Sequence, residues 1–186
     1  MFKTLLANEF APYYALSKLQ LEQLEAHYMS LTRWNERLNL TRIVGLLASV
    51  RFHYCESLFL ARFLPAGPQK IVDIGSGPGF PGIPVAIFRP ECEITLVESH
   101  QRKSVFLREV SRDLKNVIVV PKRAEDVSGT FDWVISRAVA PSDVLKSKLA
   151  ASFALLIGED DASRLRGSSL PIPWGQQRVL FHVKRG

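Results

Sequence analysis

Hydrophobic periodicity divides the chain near residue 67. Before that point, apolar residues recur at steps of three and four, which is typical of an amphipathic helix. The stripe comprises Leu24, Tyr28, Leu31, Trp34 and Leu38. Ser17 and Gln20 form a capping-box pattern ahead of this helix, and Asn39-Leu40-Thr41 predicts its end. A second helical pattern runs over residues 46–64 and ends at Pro65-Ala66-Gly67-Pro68. We therefore expect residues 1–67 to form a helical segment that packs on the rest of the chain.

After residue 67 the pattern changes to short apolar runs that alternate with helical stretches. The runs cover residues 71–74, 93–98, 117–120, 131–135, 153–157 and 178–183. Strands that are apolar throughout and alternate with helices are typical of a parallel sheet covered on both faces. The residues between Ile157 and Arg178 leave room for a helix, a turn and a clipped strand. Residues 68–186 are thus predicted to form an α/β domain with a doubly wound, mostly parallel sheet.

Composition narrows the class of protein. The chain has 186 residues, of which 47% are hydrophobic and 23% charged, as in ordinary globular proteins. No uncharged apolar run reaches the roughly 18 residues of a membrane span, and the N-terminus lacks a signal-peptide pattern. We expect a cytoplasmic monomer with no membrane partner. Cys55 and Cys92 lack metal-ligand spacing, which predicts buried reduced thiols and no metal site.

The charge balance favours a polyanionic partner. The formal net charge is +6 and the pI is about 9.5. Distribution is more informative than the total, because basic residues grouped on one face can contact phosphates. The clusters are Arg33, Arg37, Arg42 and Arg51; Arg102, Lys103, Arg108, Arg112 and Lys115; Lys122 and Arg123; and Arg164, Arg166, Arg178, Lys184 and Arg185. We expect several of them to border one surface.

A glycine-rich loop follows the first predicted strand, in the sequence VDIGSGPGFPG over residues 72–82. Gly77, Gly79 and Gly82 match the GxGxxG pattern, so a nicotinamide-dependent oxidoreductase has to be considered. Asp73 opposes it, because a carboxylate two residues before Gly75 would repel a pyrophosphate but would accept an ammonium group. The loop therefore favours S-adenosylmethionine as cofactor, with Asp73, Gly75, Gly77 and Gly79 in its site.

Further polar residues come at the ends of the next predicted strands. Glu98 ends the second strand, 19 residues after Gly79, which is about the spacing at which a carboxylate binds ribose hydroxyls. Ala124 and Glu125 follow the third strand, where a loop would cover an adenine, and Arg137 follows the fourth. Because ligands bind at the carboxyl ends of parallel strands, we assign these residues to the cofactor site.

One polar helix face stands apart from this loop. His53, Glu56 and Ser57 are separated by steps of three and four, so they share a face of the second predicted helix. Both an ordinary polar face and a functional face fit this spacing.

Taken together, the motifs resemble those of a known family, the bacterial small-subunit ribosomal RNA guanine-N7 methyltransferases, also called glucose-inhibited division protein B. The similarity covers residues from about 30 to 140. The motifs that carry it are Trp34-Asn35, Asn39-Leu40-Thr41, His53-Tyr54-Cys55-Glu56-Ser57-Leu58, the sequence VDIGSGPGFPGIPVAI, Arg123-Ala124-Glu125 and Ile135-Ser136-Arg137-Ala138.

The resemblance implies transfer of a methyl group from S-adenosylmethionine to N7 of one guanosine in 16S rRNA, with the rRNA or the small ribosomal subunit as partner. Matched position by position, it assigns five residues to the cofactor site: Gly75, Phe80, Ala124, Glu125 and Arg137. It also implies that the helix carrying His53 closes one side of the pocket. Arg137 and His53 are the candidate catalytic residues, and Glu98 stands where the family has Asp or Glu.

The chain departs from the family pattern at three places. Glu56 stands where Asp is common, Ile157 stands where a lysine is frequent, and the C-terminal part is short. Two further functions therefore stay open besides the oxidoreductase: a methyltransferase with another acceptor, and a non-catalytic rRNA-binding or assembly factor that retains the cofactor pocket. Because N7 of guanine offers a lone pair and loses no proton, we expect positioning rather than a general base to dominate the reaction.

Overall fold

The computed structural model describes residues 1–185, and a seven-stranded sheet forms its centre. The strands are β1 (Lys70–Ile74), β2 (Glu93–Val97), β3 (Val117–Val120), β4 (Trp133–Arg137), β5 (Ser152–Gly158), β6 (Ser168–Pro171) and β7 (Arg178–Lys184). Their order is β3-β2-β1-β4-β5-β7-β6. The first five strands pair in parallel, whereas β7 is antiparallel to both β5 and β6. The predicted α/β class with a mostly parallel sheet is confirmed.

Both faces of this sheet carry a hydrophobic core, which explains why the strands are apolar throughout. On β5, Phe153 and Leu155 belong to one buried cluster, whereas Ala154 and Leu156 belong to the other. Successive side chains of a strand point to opposite faces, so each cluster lies on its own side. A sheet with one wet face would instead show alternating polar residues.

Eight α-helices surround the sheet within the described chain. They are α1 (Phe2–Phe10), α2 (Lys18–Leu38), α3 (Leu46–Ser49), α4 (Glu56–Phe63), α5 (Gly82–Phe88), α6 (Gln101–Val110), α7 (Pro141–Leu145) and α8 (Glu159–Ser163). The predicted capping box at Ser17 is present, with Gln20 N donating to Ser17 Oγ. Helix α2 ends at Asn39, whose left-handed φ of 47° stops the helix as predicted.

The structure adds two features to the predicted elements and locates the predicted clipped strand. Helix α1 precedes the predicted helices and buries Phe2, Leu6 and Phe10. The helix expected over residues 46–64 is interrupted by a π-helical turn, Val50–Cys55, which connects α3 and α4. The clipped strand after Ile157 is β6, which follows α8.

The N-terminal helices share one core with the sheet. Leu24, Tyr54 and Leu58 are buried in the same hydrophobic cluster as Ile71 of β1 and Ile94 of β2. This packing brings α2 and the π-helical turn to the loops that follow β1 and β4. Cys55 and Cys92 are both buried free thiols, as predicted. No helix within residues 1–185 combines the length and the apolar character needed to cross a membrane.

Candidate active site

The glycine loop after β1 is held tightly against β2. Gly75 N donates to Val97 O at 2.9 Å, and Gly75 has a φ of 71°. A Cβ atom on Gly75 would lie 2.4 Å from Val139, and one on Gly82 would lie 2.2 Å from Leu96. Neighbouring side chains therefore exclude a Cβ atom from both positions, and at Gly75 the left-handed backbone conformation disfavours one as well.

Asp73 lies behind this loop and is completely buried. Its Oδ2 accepts a hydrogen bond from Gly82 N at 3.0 Å. Its Oδ1 is buried and has no hydrogen-bond partner among the described residues. Burial raises the pKa of this carboxyl group to about 7. Asp73 thus fixes the loop through one oxygen. Its other oxygen is available to compensate the positive charge of a ligand.

Glu98 connects the glycine loop to the end of β2. Its Oε2 accepts from Gly77 N at 2.9 Å, and its Oε1 accepts from His100 N at 2.8 Å. The side chain lines a cavity of about 340 Å³ beneath the loop. A pyrophosphate at this loop would need the backbone N–H of Gly77 as a hydrogen-bond donor. The carboxylate of Glu98 already accepts that hydrogen bond.

Arg137, at the end of β4, is fixed from several sides. Its Nη1 donates to the main-chain oxygen of Phe52 and lies 4.0 Å from Glu56 Oε2. Its Nη2 donates to His53 Nδ1 at 2.6 Å, and the guanidinium lies 5.5 Å from the centroid of the Phe80 ring. Burial lowers the pKa of Arg137 to about 10, so it remains charged at neutral pH.

The hydrogen bonds of His53 define its tautomer. Arginine can only donate, so Nδ1 accepts and the proton lies on Nε2, which is 2.9 Å from Thr41 Oγ1. The imidazole stacks on Phe80 with ring centroids 4.3 Å apart. Burial, with the positive charge of Arg137, lowers the pKa of His53 to about 2. His53 is therefore a neutral, immobilised ring.

The other two residues of the predicted polar face are also buried. Ser57 Oγ donates to His53 O at 2.6 Å. Glu56 accepts from Arg178 Nε at 2.9 Å and from Arg178 Nη2 at 3.0 Å. Burial raises the pKa of Glu56, although Arg178 opposes this shift. This helix face therefore points into the protein, towards β7 of the sheet, and not into solvent.

Most of the residues predicted to bind the cofactor are distributed over two adjoining cavities, whereas Asp73 and Gly79 are in the lining of neither. The smaller, beneath the glycine loop, is lined by Gly75, Gly77, Phe80, Glu98 and Arg137 together with Thr41, His53, Lys103 and Val139. Ala124 and Glu125 instead line a cavity of about 700 Å³ beyond the end of β3. Val139 contributes to both cavities.

A third cavity lies on the other side of Arg137. It measures about 420 Å³ and shares Arg137 and Ala138 with the cavity beneath the loop. Phe52, Gln176 and Arg178 are among its other lining residues. Ala138, between the two cavities, has a φ of 61°, in the left-handed region that residues with a Cβ seldom adopt.

His27 was not among the predicted site residues. It is buried in α2 and its Nε2 lies 3.0 Å from Pro78 O, so Nε2 must donate. Its Nδ1 then accepts from the Tyr54 hydroxyl at 2.9 Å. Burial lowers the pKa of His27 to about 4, which keeps it neutral. The signal in the sequence was a polar residue on the apolar stripe between Leu24 and Leu31.

Comparison with known families identifies the chain. The family model described as rRNA small subunit methyltransferase G matches residues 20–169. The chain belongs to this family. A ribosomal RNA small subunit methyltransferase G of Polynucleobacter asymbioticus is 42% identical over 66% of this chain and 60% of the relative. The corresponding protein of Xylella fastidiosa is 38% identical over 83% of this chain and 75% of the relative.

The GxGxxG pattern had left a nicotinamide-dependent oxidoreductase open. Membership of a methyltransferase family rules that hypothesis out. The chain nevertheless spans only about 57–60% of the length of the curated relatives first matched.

Solved structures support the same fold. A SAM-dependent methyltransferase from Aquifex aeolicus has a TM-score of 0.57 at 12% identity, covering 73% of this chain and 91% of its own. Aeropyrum pernix fibrillarin, solved with natively bound S-adenosyl-L-methionine, has a TM-score of 0.54 at 14% identity, covering 67% of this chain and 73% of its own. The chain therefore has the Rossmann-like fold of SAM-dependent methyltransferases.

Proposed function

We propose that this chain uses S-adenosylmethionine to methylate N7 of a guanosine in 16S rRNA. The observation that carries the proposal is the cavity beneath the glycine loop, where a buried carboxylate, Glu98, and a fixed guanidinium, Arg137, line one space. Family membership supports the reaction class. The rRNA acceptor and the small subunit as partner are part of the proposal.

The residues present fit S-adenosylmethionine. Glu98 offers carboxylate oxygens where the fold would bring ribose hydroxyls. The unpartnered Oδ1 of Asp73 suits a ligand that carries an ammonium group. The larger cavity beside Ala124 and Glu125 is mostly apolar and adjoins the first at Val139, which suits an adenine. A ligand joining an amino acid to an adenosine would thus use both cavities.

The protein residues have to position the acceptor rather than deprotonate it. When bound, S-adenosylmethionine supplies an electrophilic methyl group on a sulfonium. N7 of guanine attacks with its own lone pair, so no proton leaves the base. His53 is neutral and already bonded at both nitrogens, which suits it to hold Arg137 rather than to act as a base. Holding N7 in line with the methyl group can supply roughly 7–11 kcal/mol of rate enhancement.

We propose the third cavity, beyond Arg137, as the entry for the target base. It adjoins the cavity beneath the loop through Arg137 and Ala138, and Phe52 offers an aromatic ring among its lining residues. Guanine N7 is poorly accessible in the deep major groove of duplex RNA, so the target has to be unpaired or extruded. A fixed guanidinium between the cavities could then donate to O6, the neighbour of N7.

The decisive experiment measures transfer from labelled S-adenosylmethionine to small subunits of a strain that lacks its own guanine-N7 enzyme. Naked 16S rRNA is tested in parallel, and cleavage at N7-methylguanosine locates the product. We expect one stoichiometric site in 16S rRNA for the wild type. No transfer despite calorimetric binding of S-adenosylhomocysteine would contradict the proposed reaction and favour a binding factor or another acceptor.

Matched variants connect this activity to the site. Glu98→Gln should weaken S-adenosylhomocysteine binding about tenfold or more, because a charge-assisted contact is lost. Glu91→Gln is the control: Glu91 likewise accepts a short hydrogen bond, from Arg89 Nε at 2.6 Å, but it follows α5 outside the site. Equal binding by the two variants would remove Glu98 from the proposed cofactor site.

A further inference from the structure

A fourth cavity lies on the molecular surface between α2 and α6. It measures about 410 Å³ and is lined by Arg33, Trp34, Arg37, Leu38 and Glu109. None of these residues lines the cavities assigned to the cofactor and the target base. The proposed reaction therefore leaves this cavity without a function.

Trp34 gives the cavity a rigid aromatic wall. Its Nε1 donates to Glu109 Oε1 at 3.1 Å. Its ring packs edge-on against Phe106 of α6, with centroids 5.5 Å apart and an interplanar angle of 61°. The indole is only partly buried. It is thus oriented before any ligand binds, so stacking on it would cost little side-chain entropy.

Two arginines flank this ring on α2. Arg33 and Arg37 are exposed and one helical turn apart, so both lie beside Trp34 on the same surface. Within residues 1–185 neither of them takes part in an ion pair. Glu109, the one acidic residue in the lining, is bonded to the indole. The lining therefore combines an aromatic face with these two arginines and one carboxylate, which leaves a positive balance.

This combination matches the chemistry of single-stranded RNA. Unpaired bases stack on aromatic side chains, and guanidinium groups contact the phosphates on either side. An acidic peptide would satisfy Arg33 and Arg37 but would leave the flat face of Trp34 without a partner. A nucleotide satisfies both, and the cavity is large enough for one base.

The position of the cavity relates it to the active site. Lys103 of α6 lines the cavity beneath the glycine loop, and Phe106 and Glu109 follow at steps of three residues along the same helix. At a rise of 1.5 Å per residue, Glu109 lies about 9 Å beyond Lys103. The Trp34 cavity therefore lies about 9 Å along α6 from the lining of the cavity beneath the glycine loop.

We propose that the Trp34 cavity binds a single-stranded RNA nucleotide flanking the target guanosine. The base stacks on the indole, and Arg33 and Arg37 hold its phosphates. This inference rests on the proposed function, because it assigns the flanking nucleotide to the same RNA acceptor. It gives the enzyme a second point of attachment that fixes which strand enters the active site.

Fluorescence of Trp34 provides a test that does not depend on activity. The other two tryptophans are replaced in Trp133→Phe/Trp174→Phe, which leaves Trp34 as the sole indole. A single-stranded decaadenylate is titrated into this protein. We expect saturable quenching, because a stacked base quenches the indole. Absence of quenching, or equal quenching by an oligoglutamate of the same length, would overturn the proposal.

Neutralised arginines test the phosphate contacts. Each phosphate contact to a single strand contributes about 0.7 to the slope of log affinity against log salt concentration. Arg33→Gln and Arg37→Gln should each lower this slope by about that amount and weaken binding several-fold. Arg62→Gln removes an exposed arginine of α4 and serves as control. Slopes that are equal in all three variants would refute the assignment.

Methyl transfer connects the cavity to the reaction. Trp34→Ala should raise KM for small subunits about tenfold and leave the affinity for S-adenosylhomocysteine unchanged, and Trp34→Phe should restore most of the loss. An unchanged KM in Trp34→Ala would contradict the inference. If wild-type protein transfers no methyl group while decaadenylate still quenches Trp34, the proposed function fails and the nucleotide site stands.

Discussion

At the scale of single residues, His53 is defined by what surrounds it. A guanidinium donates to one ring nitrogen, a threonine hydroxyl lies beside the other, and Phe80 covers one face. A base needs a free lone pair aimed at its substrate, and both nitrogens of His53 are engaged. The contribution of His53 is therefore to orient Arg137.

This role predicts the behaviour of His53→Phe, which keeps a ring beside Phe80 but cannot accept from Arg137. Loss of a hydrogen bond to a charged partner should lower kcat for methyl transfer about tenfold. The shape of the pH–rate profile should stay that of the wild type, because His53, with its pKa of about 2, does not titrate between about pH 5 and 9. Disappearance of a pH-dependent limb in the variant would instead identify His53 as a base.

Asp73 carries a second prediction. Its pKa is about 7 in the folded protein and 3.8 in the ordinary reference state, so the folded state binds the proton more tightly. Its stabilising contribution is therefore present at low pH and is lost as the pH rises towards 7. The unfolding free energy of the wild type, relative to Asp73→Asn, should fall by about 3 kcal/mol between about pH 5 and 8. Urea denaturation at both pH values measures this difference, and a constant difference would contradict it.

Several site residues were predictable because their position follows from a strand end. Glu98 and Arg137 come directly after apolar runs, and parallel strands bring such ends together. His27 and Thr41 were not predicted as site residues, since their roles depend on how α2 packs across the glycine loop. Ile157, at the position where the family resemblance predicts a lysine, is 6% exposed and packs among apolar neighbours, which suits isoleucine.

At the scale of elements, α2 supports the glycine loop through one histidine. His27 donates to Pro78 O within the loop and accepts from Tyr54 in the π-helical turn. Its ring also packs edge-on against Phe80, with centroids 5.2 Å apart. Three separate elements thus meet at a single neutral imidazole.

Removing these bonds should loosen the loop. His27→Phe keeps an aromatic ring but leaves Pro78 O and the Tyr54 hydroxyl without their partner. We expect the unfolding free energy to fall by about 1–3 kcal/mol and the affinity for S-adenosylhomocysteine to fall several-fold. His27→Gln, which can still donate to Pro78, is the matched control. Calorimetry would refute this coupling if His27→Phe bound the ligand like the wild type.

The elements differ in how far their sequence revealed them. The strands of the central sheet were predictable because both of their faces are buried. Strand β6 is exposed along its whole length and has no apolar run. The π-helical turn keeps a helical hydrophobic pattern, so periodicity alone does not reveal the change in hydrogen bonding. Helix α1 carries Phe2, Leu6 and Phe10 at steps of four, a signal present in the sequence but short.

At the scale of the whole molecule, part of the positive charge serves the fold. Arg51 pairs with Glu9 through two hydrogen bonds of 2.9 Å, and Arg178 pairs with the buried Glu56. These two members of the basic clusters are therefore engaged in ion pairs within the protein. The expectation that several clusters border one RNA-binding surface stays a prediction, with Arg33 and Arg37 as its best-supported members.

The two ion pairs should differ greatly in their effect on stability. Arg178→Ala removes the hydrogen-bond donors of the buried Glu56 carboxylate, leaves only Arg137 at 4.0 Å, and should lower the unfolding free energy by about 3 kcal/mol. Arg51→Ala breaks a pair whose side chains are 41% and 18% exposed, and it should cost about 1 kcal/mol or less. Urea denaturation of both variants measures the contrast. Similar losses would show that burial does not distinguish these pairs.

The ion pair between Glu56 and Arg178 also has a consequence for folding during synthesis. The two residues are 122 positions apart, and β7 inserts between β5 and β6 in the finished sheet. A ribosome therefore releases the carboxylate long before its counter-ion exists. Until β7 has been made and has paired with β5, Glu56 lacks the hydrogen bonds of Arg178 and has to stay hydrated or protonated. The cavity beyond Arg137 is therefore completed only when β7 pairs, because Arg178 is part of its lining.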